Sequence, residues 1–144
     1  MEKLARFESY DSRDVVSFDF DGCLHCSIIP GTTHPINFDQ PDTWEPIEIV
    51  HNAVRREHEL GNKVIIITAR DNYMKPDLWK FIKKYNLPIE DIECTDDAPK
   101  LNYIVASNSI RHYDDAAVLV KGLRKHGIQF YLIDPSKQTI KKVS

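Results

Sequence analysis

The sequence predicts an α/β protein built around a mainly parallel sheet, and three observations carry that reading. Short apolar runs alternate with amphipathic ones along the chain, which is the pattern of strand–helix units. Proline and glycine punctuate the joins between them. Polar and charged residues gather where the apolar runs stop, at strand carboxyl ends, which in such folds open onto the ligand crevice.

The first strand is predicted over Val15–Phe20. Strand side chains alternate faces, so Asp19 and Asp21 are expected to project to one side and Phe18 and Phe20 to the other. Gly22 turns the chain, and Leu24–Thr43 follows as a long irregular stretch rich in Pro, Gly, Thr, His and Asp. A loop of that length beside paired acids is expected to serve function. The first helix is predicted over Pro46–Leu60, opened by Pro46 and stopped by Gly61, with Ile47, Ile49, Val50, Ala53 and Val54 as its apolar face. Lys63–Thr68 reads as the second strand. A second helix is predicted over Pro76–Tyr85, with Leu78, Trp79, Phe81 and Ile82 at helical spacing and Lys80, Lys83 and Lys84 toward solvent. Asp91–Cys94, Ile110–Tyr113 and Ile128–Ile133 complete the strands. Pro99–Ser107 and Asp115–His126 complete the helices, the latter closed by Gly127.

A chain of 144 residues fits one domain, 1–144, with a core of its own. Its 42% hydrophobic and 28% charged residues exclude a disordered chain or a fibrous repeat. A net charge of −3 gives no overall attraction to nucleic acid. Lys121, Arg124, Lys125, Lys137, Lys141 and Lys142 make the C-terminal third basic and read as a solvated face. No apolar run approaches the ~20 residues that cross a bilayer, and Met1–Arg6 lacks the apolar core of a secretion signal, so a cytoplasmic protein without a membrane partner is expected. Cys23, Cys26 and Cys94 are an odd set that fits reduced, packed thiols. Cys23 and Cys26 match C-x-x-C, but no second ligand pair at familiar spacing completes a closed zinc site.

The chemistry sits at the strand ends. Asp19 and Asp21 are like charges one residue apart, which a divalent cation or a proton can join. Thr68 offers a hydroxyl where the second strand stops, and with the N–H groups of Ala69 and Arg70 it can hold a phosphoryl oxygen. Lys100 opens a helix, from which its ammonium can reach into the crevice. Asp114 and Asp115 end another strand and can complete a metal shell. Singly these signals have plainer readings, since a helix-start lysine is usually solvated and an Asp-Asp pair often caps a helix. Arg70, Arg111 and His112 read equally as substrate grips and as loop residues. For His25, His34 and Trp44, loop packing is set against contact with a leaving group.

The order of the motifs is what discriminates. A strand-borne Asp19-x-Asp21, then Thr68, Lys100 and Asp114-Asp115, each at a successive β-element, resembles the four motifs of the haloacid dehalogenase (HAD) superfamily of phosphatases. The resemblance implies a three-layer Rossmann-like core and Mg2+-dependent chemistry through an aspartyl phosphate. By it Asp19 is the nucleophile and Asp21 the general acid and base. Mg2+ lies between Asp19, the backbone carbonyl of Asp21 and Asp115, with Asp114 in support. Thr68 and Lys100 hold the transferring group, and Gly22, Ala69 and Arg70 contribute to substrate binding. Cys23 stands where the family usually has threonine, and a thiol is the weaker hydrogen-bonding group.

Neither interval where the family inserts a cap is long enough to hold a domain, so an open site is expected. In the family such sites often serve macromolecular ends or take a lid from an oligomeric partner. Among capless members the chain most resembles the 3′-phosphatase domain of phage polynucleotide kinase/phosphatase, and next the 5′-deoxyribonucleotidases. The implied function is hydrolysis of a phosphomonoester on a nucleotide or nucleic-acid end. A 5′-nucleotidase or other small-metabolite phosphatase is the alternative within the family. A catalytically silent phosphate-binding module or a receiver-like signalling module is the alternative of another class, although a receiver places its acid pair before the phosphorylated aspartate, the reverse of the order here.

Overall fold

The computed structural model describes residues 11–26 and 41–144. One sheet contains β1 (Val15–Phe18), β2 (Lys63–Thr68), β3 (Asp91–Cys94), β4 (Ser109–Asp114), β5 (Gln129–Asp134) and β6 (Thr139–Lys142), in the order β3-β2-β1-β4-β5-β6. Every neighbouring pair is parallel except β5 with β6. The helices are α1 (Glu48–Glu59), α2 (Lys75–Lys84), α3 (Lys100–Ala106) and α4 (Val120–Lys125). The α/β class and the mainly parallel sheet expected from the sequence are what the chain adopts.

Strand β2 explains the layering. Its run Val64-Ile65-Ile66-Ile67 is buried throughout, and its period of two sends Val64 and Ile66 into one apolar cluster and Ile65 and Ile67 into another. The first cluster takes Val50, Ala53 and Val54 of α1 with Leu78, Phe81 and Ile82 of α2. The second takes Ile104 of α3 and Leu123 of α4. Helix pairs therefore cover opposite faces of the sheet, giving three layers.

This topology positions the site. From β1 the chain adds β2 and β3 on one side, then crosses to add β4 and β5 on the other. The direction reverses beside β1, so the carboxyl ends of β1 and β4 flank the switch point at which such sheets bind ligands.

Several boundaries differ from expectation. Strand β1 stops at Phe18 rather than Phe20. Asp19 N–H still donates to Tyr113 O at 2.8 Å, but Phe20 O then accepts from the N–H groups of Cys23, Leu24 and His25 at 3.3, 3.0 and 3.4 Å, and this turn ends the pairing. Asp19 and Asp21 consequently leave the alternation of the strand and face different partners. Ile49, expected on the apolar face of α1, is exposed, while His51 and Glu57 are buried on that helix instead. The last helix is shorter than Asp115–His126. Asp114 Oδ1 accepts the Ala116 N–H at 3.0 Å, and a 3-10 turn at Ala117–Leu119 precedes α4. Strand β6 was not expected, because Ile140 is its single apolar residue; it is an edge strand carrying lysines. Met1–Arg6, His34 and most of the long irregular stretch lie outside the described residues. Among the described residues no cap domain is inserted, and no helix is long and apolar enough to cross a membrane.

Candidate active site

Asp19 directly follows β1, Asp114 ends β4 with Asp115 next to it, and Lys100 opens α3. The switch point thus gathers three acids and one cation. Lys100 Nζ donates to Asp19 Oδ1 at 2.9 Å and to Asp114 Oδ2 at 2.8 Å. Carboxylate oxygens of Asp19, Asp114 and Asp115 all lie within 4.8 Å of one another. Burial and the Asp114 charge push Asp19 well above the usual carboxylate range, against the pull of Lys100. Asp115 is pushed up to about 6 by burial and by the charge of Asp114. Burial alone lowers the Lys100 ammonium, but the charges of Asp19 and Asp114 and its bonds to both more than reverse this and keep it protonated. A single ammonium does not balance three carboxylates, and a cluster of hard oxygen donors with surplus negative charge suits Mg2+.

Asp114 is held from beneath. His112 Nε2 lies 2.8 Å from Asp114 Oδ2, and His112 Nδ1 lies 2.7 Å from Ser17 Oγ. Burial lowers the His112 pKa, with Asp114 opposing, so the ring is neutral. Burial raises Asp114, but the bonds and charges of His112 and Lys100 more than reverse it, so this carboxylate is ionised and can only accept. His112 therefore donates from Nε2 and accepts at Nδ1 from the Ser17 hydroxyl. Ser17 and His112 are register partners across β1 and β4, so the strand pairing itself builds this relay.

Asp21 is organised separately. Arg70, two residues beyond the end of β2, donates from Nε to Asp21 Oδ2 at 2.9 Å and from Nη2 to Oδ1 at 2.7 Å. His25 Nε2 lies 2.6 Å from Asp21 Oδ1, and His25 Nδ1 lies 2.7 Å from Cys26 O. The ring is thereby held between the Cys26 carbonyl and the Asp21 carboxylate, which fixes its orientation against Asp21. Burial raises the Asp21 pKa, but the bonds from His25 and Arg70 outweigh it and leave the carboxyl below its ordinary range. The Arg70 guanidinium lies 4.8 Å from the Trp44 ring centroid, and Trp44 stacks on His25 at 5.3 Å.

The other expected site residues are near but differently engaged. Thr68 is buried at the end of β2, and its Oγ1 accepts the Arg70 N–H at 3.2 Å. Gly22 takes a positive φ of 72°, which lets its N–H return to His25 O at 3.0 Å. Ala69 O accepts the Asp97 N–H at 2.9 Å. Cys23, Cys26 and Cys94 are free and buried, and burial raises each thiol, so none is poised as a nucleophile. Beside Asp21 opens a cleft of about 390 Å³, with Arg70, Asp71, Tyr73 and Asp97 in its lining.

Sequence reasoning underweighted two groups, His25 and the Ser17–His112 pair. His25 is four residues past Asp21 in a turn, where no periodicity brings the two together. For the pair a signal did exist: Ser17 is a polar residue inside the apolar run of β1, and a buried hydroxyl requires a partner.

No protein-family model matches the chain, and no curated protein matches it. Solved structures do. A chain of the Pnkp1/Rnl/Hen1 complex superposes with a TM-score of 0.67 at 19% identity, over 91% of this chain and 50% of that one. A chain of the Pnkp1/Rnl/Hen1 RNA repair complex gives 0.67 at 18%, over 92% and 47%. The D,D-heptose 1.7-bisphosphate phosphatase from B. bronchiseptica, complexed with magnesium and phosphate, gives 0.57 at 11%, over 83% and 80%. The chain thus spans about half the length of the first two. At these identities the likeness is one of fold: a three-layer α/β core on a mainly parallel sheet, without a separate cap among the described residues.

Proposed function

We propose that the chain is a Mg2+-dependent phosphomonoester hydrolase acting on the terminal phosphate of a nucleotide or nucleic acid. The observation that carries this reading is the Lys100 ammonium bridging buried Asp19 and Asp114 at the switch point, with Asp115 in the same cluster. The Asp19 carboxylate attacks phosphorus as the bond to the leaving oxygen breaks, and that oxygen takes its proton at Asp21. Water then gives a proton to Asp21 and attacks the phosphorus of the aspartyl phosphate, releasing inorganic phosphate and restoring Asp19. Arg70 and His25 orient Asp21 for both transfers. Lys100 and the Thr68 region hold the transferring group. Asp19, Asp115 and the backbone carbonyl of Asp21 are the groups to hold Mg2+, with Asp114 as support; when bound, the ion cancels charge between the anionic nucleophile and the phosphoryl oxygens.

The substrate class is supported by two things. No cap domain is inserted among the described residues, and a chain of an RNA repair complex shares the fold. A cytoplasmic location, the single domain 1–144 and a lid supplied by a second copy belong to the same proposal. A phosphate-release panel tests it, with 3′-phosphorylated DNA and RNA, 5′- and 3′-nucleotides, sugar phosphates and phosphopeptides as substrates. Release from nucleotide or nucleic-acid ends that stops in excess chelator is expected. Release from no substrate, or full activity in chelator, overturns it.

A further inference from the structure

The cleft beside Asp21 has a place in the reaction above. In-line attack by Asp19 sends the leaving oxygen away from Asp19, and Asp21 is the group that must reach that oxygen. The cleft is lined by Asp21 but by none of Asp19, Lys100 and Asp114, so its occupant is assigned to the leaving group rather than to the phosphate. The lining then says what kind of leaving group fits.

Size comes first. About 390 Å³ is at the low end of the ~300–1,000 Å³ typical of small-ligand sites, enough for one ring-bearing unit and not for a duplex. Charge comes second. Asp21, Asp71 and Asp97 outnumber Arg70 in the lining, and Arg70 is already paired with Asp21. A leaving group carrying further phosphate inside the cleft is repelled, whereas a neutral group with N–H donors is accepted by the carboxylates of Asp71 and Asp97. Shape comes third. Tyr73, on the 3-10 turn Asn72–Met74 that leads into α2, is 72% exposed while lining this cleft. An aromatic face left open beside a reactive centre is a stacking surface.

We propose that Tyr73 is a specificity residue that stacks on the base of the phosphate-bearing terminal nucleoside, with the acid-lined cleft holding that one base and the rest of the strand lying outside. This rests on the phosphatase reading and narrows it to unpaired ends, because a cleft of about 390 Å³ holds one base and not its pairing partner. Asp71 and Asp97 accept from the amino edge of the base, and backbone phosphates stay beyond the rim.

The test compares single-stranded 3′-phosphorylated oligonucleotides that differ only in whether the terminal nucleoside carries a base or is abasic. The wild-type protein is expected to prefer the base-bearing end by about tenfold or more in kcat/KM, the scale of one base–aromatic stack. Tyr73→Ala is expected to collapse that ratio toward one, and Tyr73→Phe to keep it. A wild-type ratio of one, or a ratio that survives in Tyr73→Ala, overturns the proposal. The same pair of oligonucleotides is read in equilibrium binding by fluorescence anisotropy. If no phosphomonoester is turned over, the phosphatase reading fails on its own, and the ratio of dissociation constants still decides whether Tyr73 meets a base.

Discussion

Arg70 closes on Asp21 as a two-pronged ion pair, Nε to Oδ2 at 2.9 Å and Nη2 to Oδ1 at 2.7 Å. A planar fork on a planar carboxylate fixes orientation as well as charge, which a lysine ammonium cannot reproduce. The sequence left Arg70 as a possible grip on substrate; in the structure its guanidinium is placed on the carboxylate assigned to proton transfer. We expect Arg70→Lys to lower kcat by about 10- to 100-fold with little change in KM, measured as steady-state phosphate release. A raised KM with kcat retained puts Arg70 on the substrate instead.

Lys100 is the one cation bonded to Asp19 and Asp114 among the described residues, at 2.9 and 2.8 Å. Replacing it by methionine keeps much of the stem and removes the charge that opposes the rise in the Asp19 pKa. A loss of about 10²–10³ in kcat is expected for Lys100→Met, comparable to removing one electrostatic stabiliser from an active site. Activity within a fewfold of wild type contradicts its assigned role.

The relay from Ser17 through His112 to Asp114 should show in metal dependence. Partners that orient a ligating carboxylate typically change metal affinity by about 10- to 100-fold when removed. We expect His112→Leu to raise the Mg2+ concentration giving half-maximal activity by that amount, with Ser17→Ala moving it in the same direction by less. A Mg2+ titration unchanged in both variants rules out the relay as a support of the metal site.

Away from the site, Glu57 of α1 ties that helix to β4. Its side chain is 4% exposed; Oε1 accepts from Arg111 and Asn62, and Oε2 from Arg111 and Tyr113. Burial raises the Glu57 pKa, and these bonds outweigh it, so the folded value lies below the unfolded one near ~4.3. A carboxylate depressed on folding contributes stability above its unfolded pKa, and that contribution is lost as pH falls through the folded value. We expect Glu57→Gln to cost about 2–3 kcal/mol at pH 7 by urea unfolding, with the gap to wild type narrowing below about pH 4. A gap constant with pH assigns the cost to shape rather than charge.

The parts of this molecule that sequence reading reached are those with local or ordered signals. Apolar runs located β1 to β5, the residues at or next to their ends located Asp19, Thr68 and Asp114, and the start of a helix located Lys100. What it missed depends on where the chain returns. His25 meets Asp21 only through the turn closed on Phe20 O, and Glu57 meets Arg111 across 54 residues. Strand β6 has one apolar residue and owes its place to pairing with β5. The expected alternation of Asp19 and Asp21 failed for the same reason, since the turn at Phe20 is cooperative with residues further along.

Acid-quench phosphoryl trapping on the wild-type protein and on Asp21→Asn, with 3′-phosphorylated oligonucleotide carrying a labelled phosphate, bears most directly on Asp19 as nucleophile. Label on the peptide containing Asp19 is expected in the wild-type protein, formed and lost more slowly in Asp21→Asn, where both proton transfers are impaired, and absent from Asp19→Ala along with turnover. Phosphate released by the wild-type protein with no label on that peptide at any quench time, or continued release by Asp19→Ala, contradicts it.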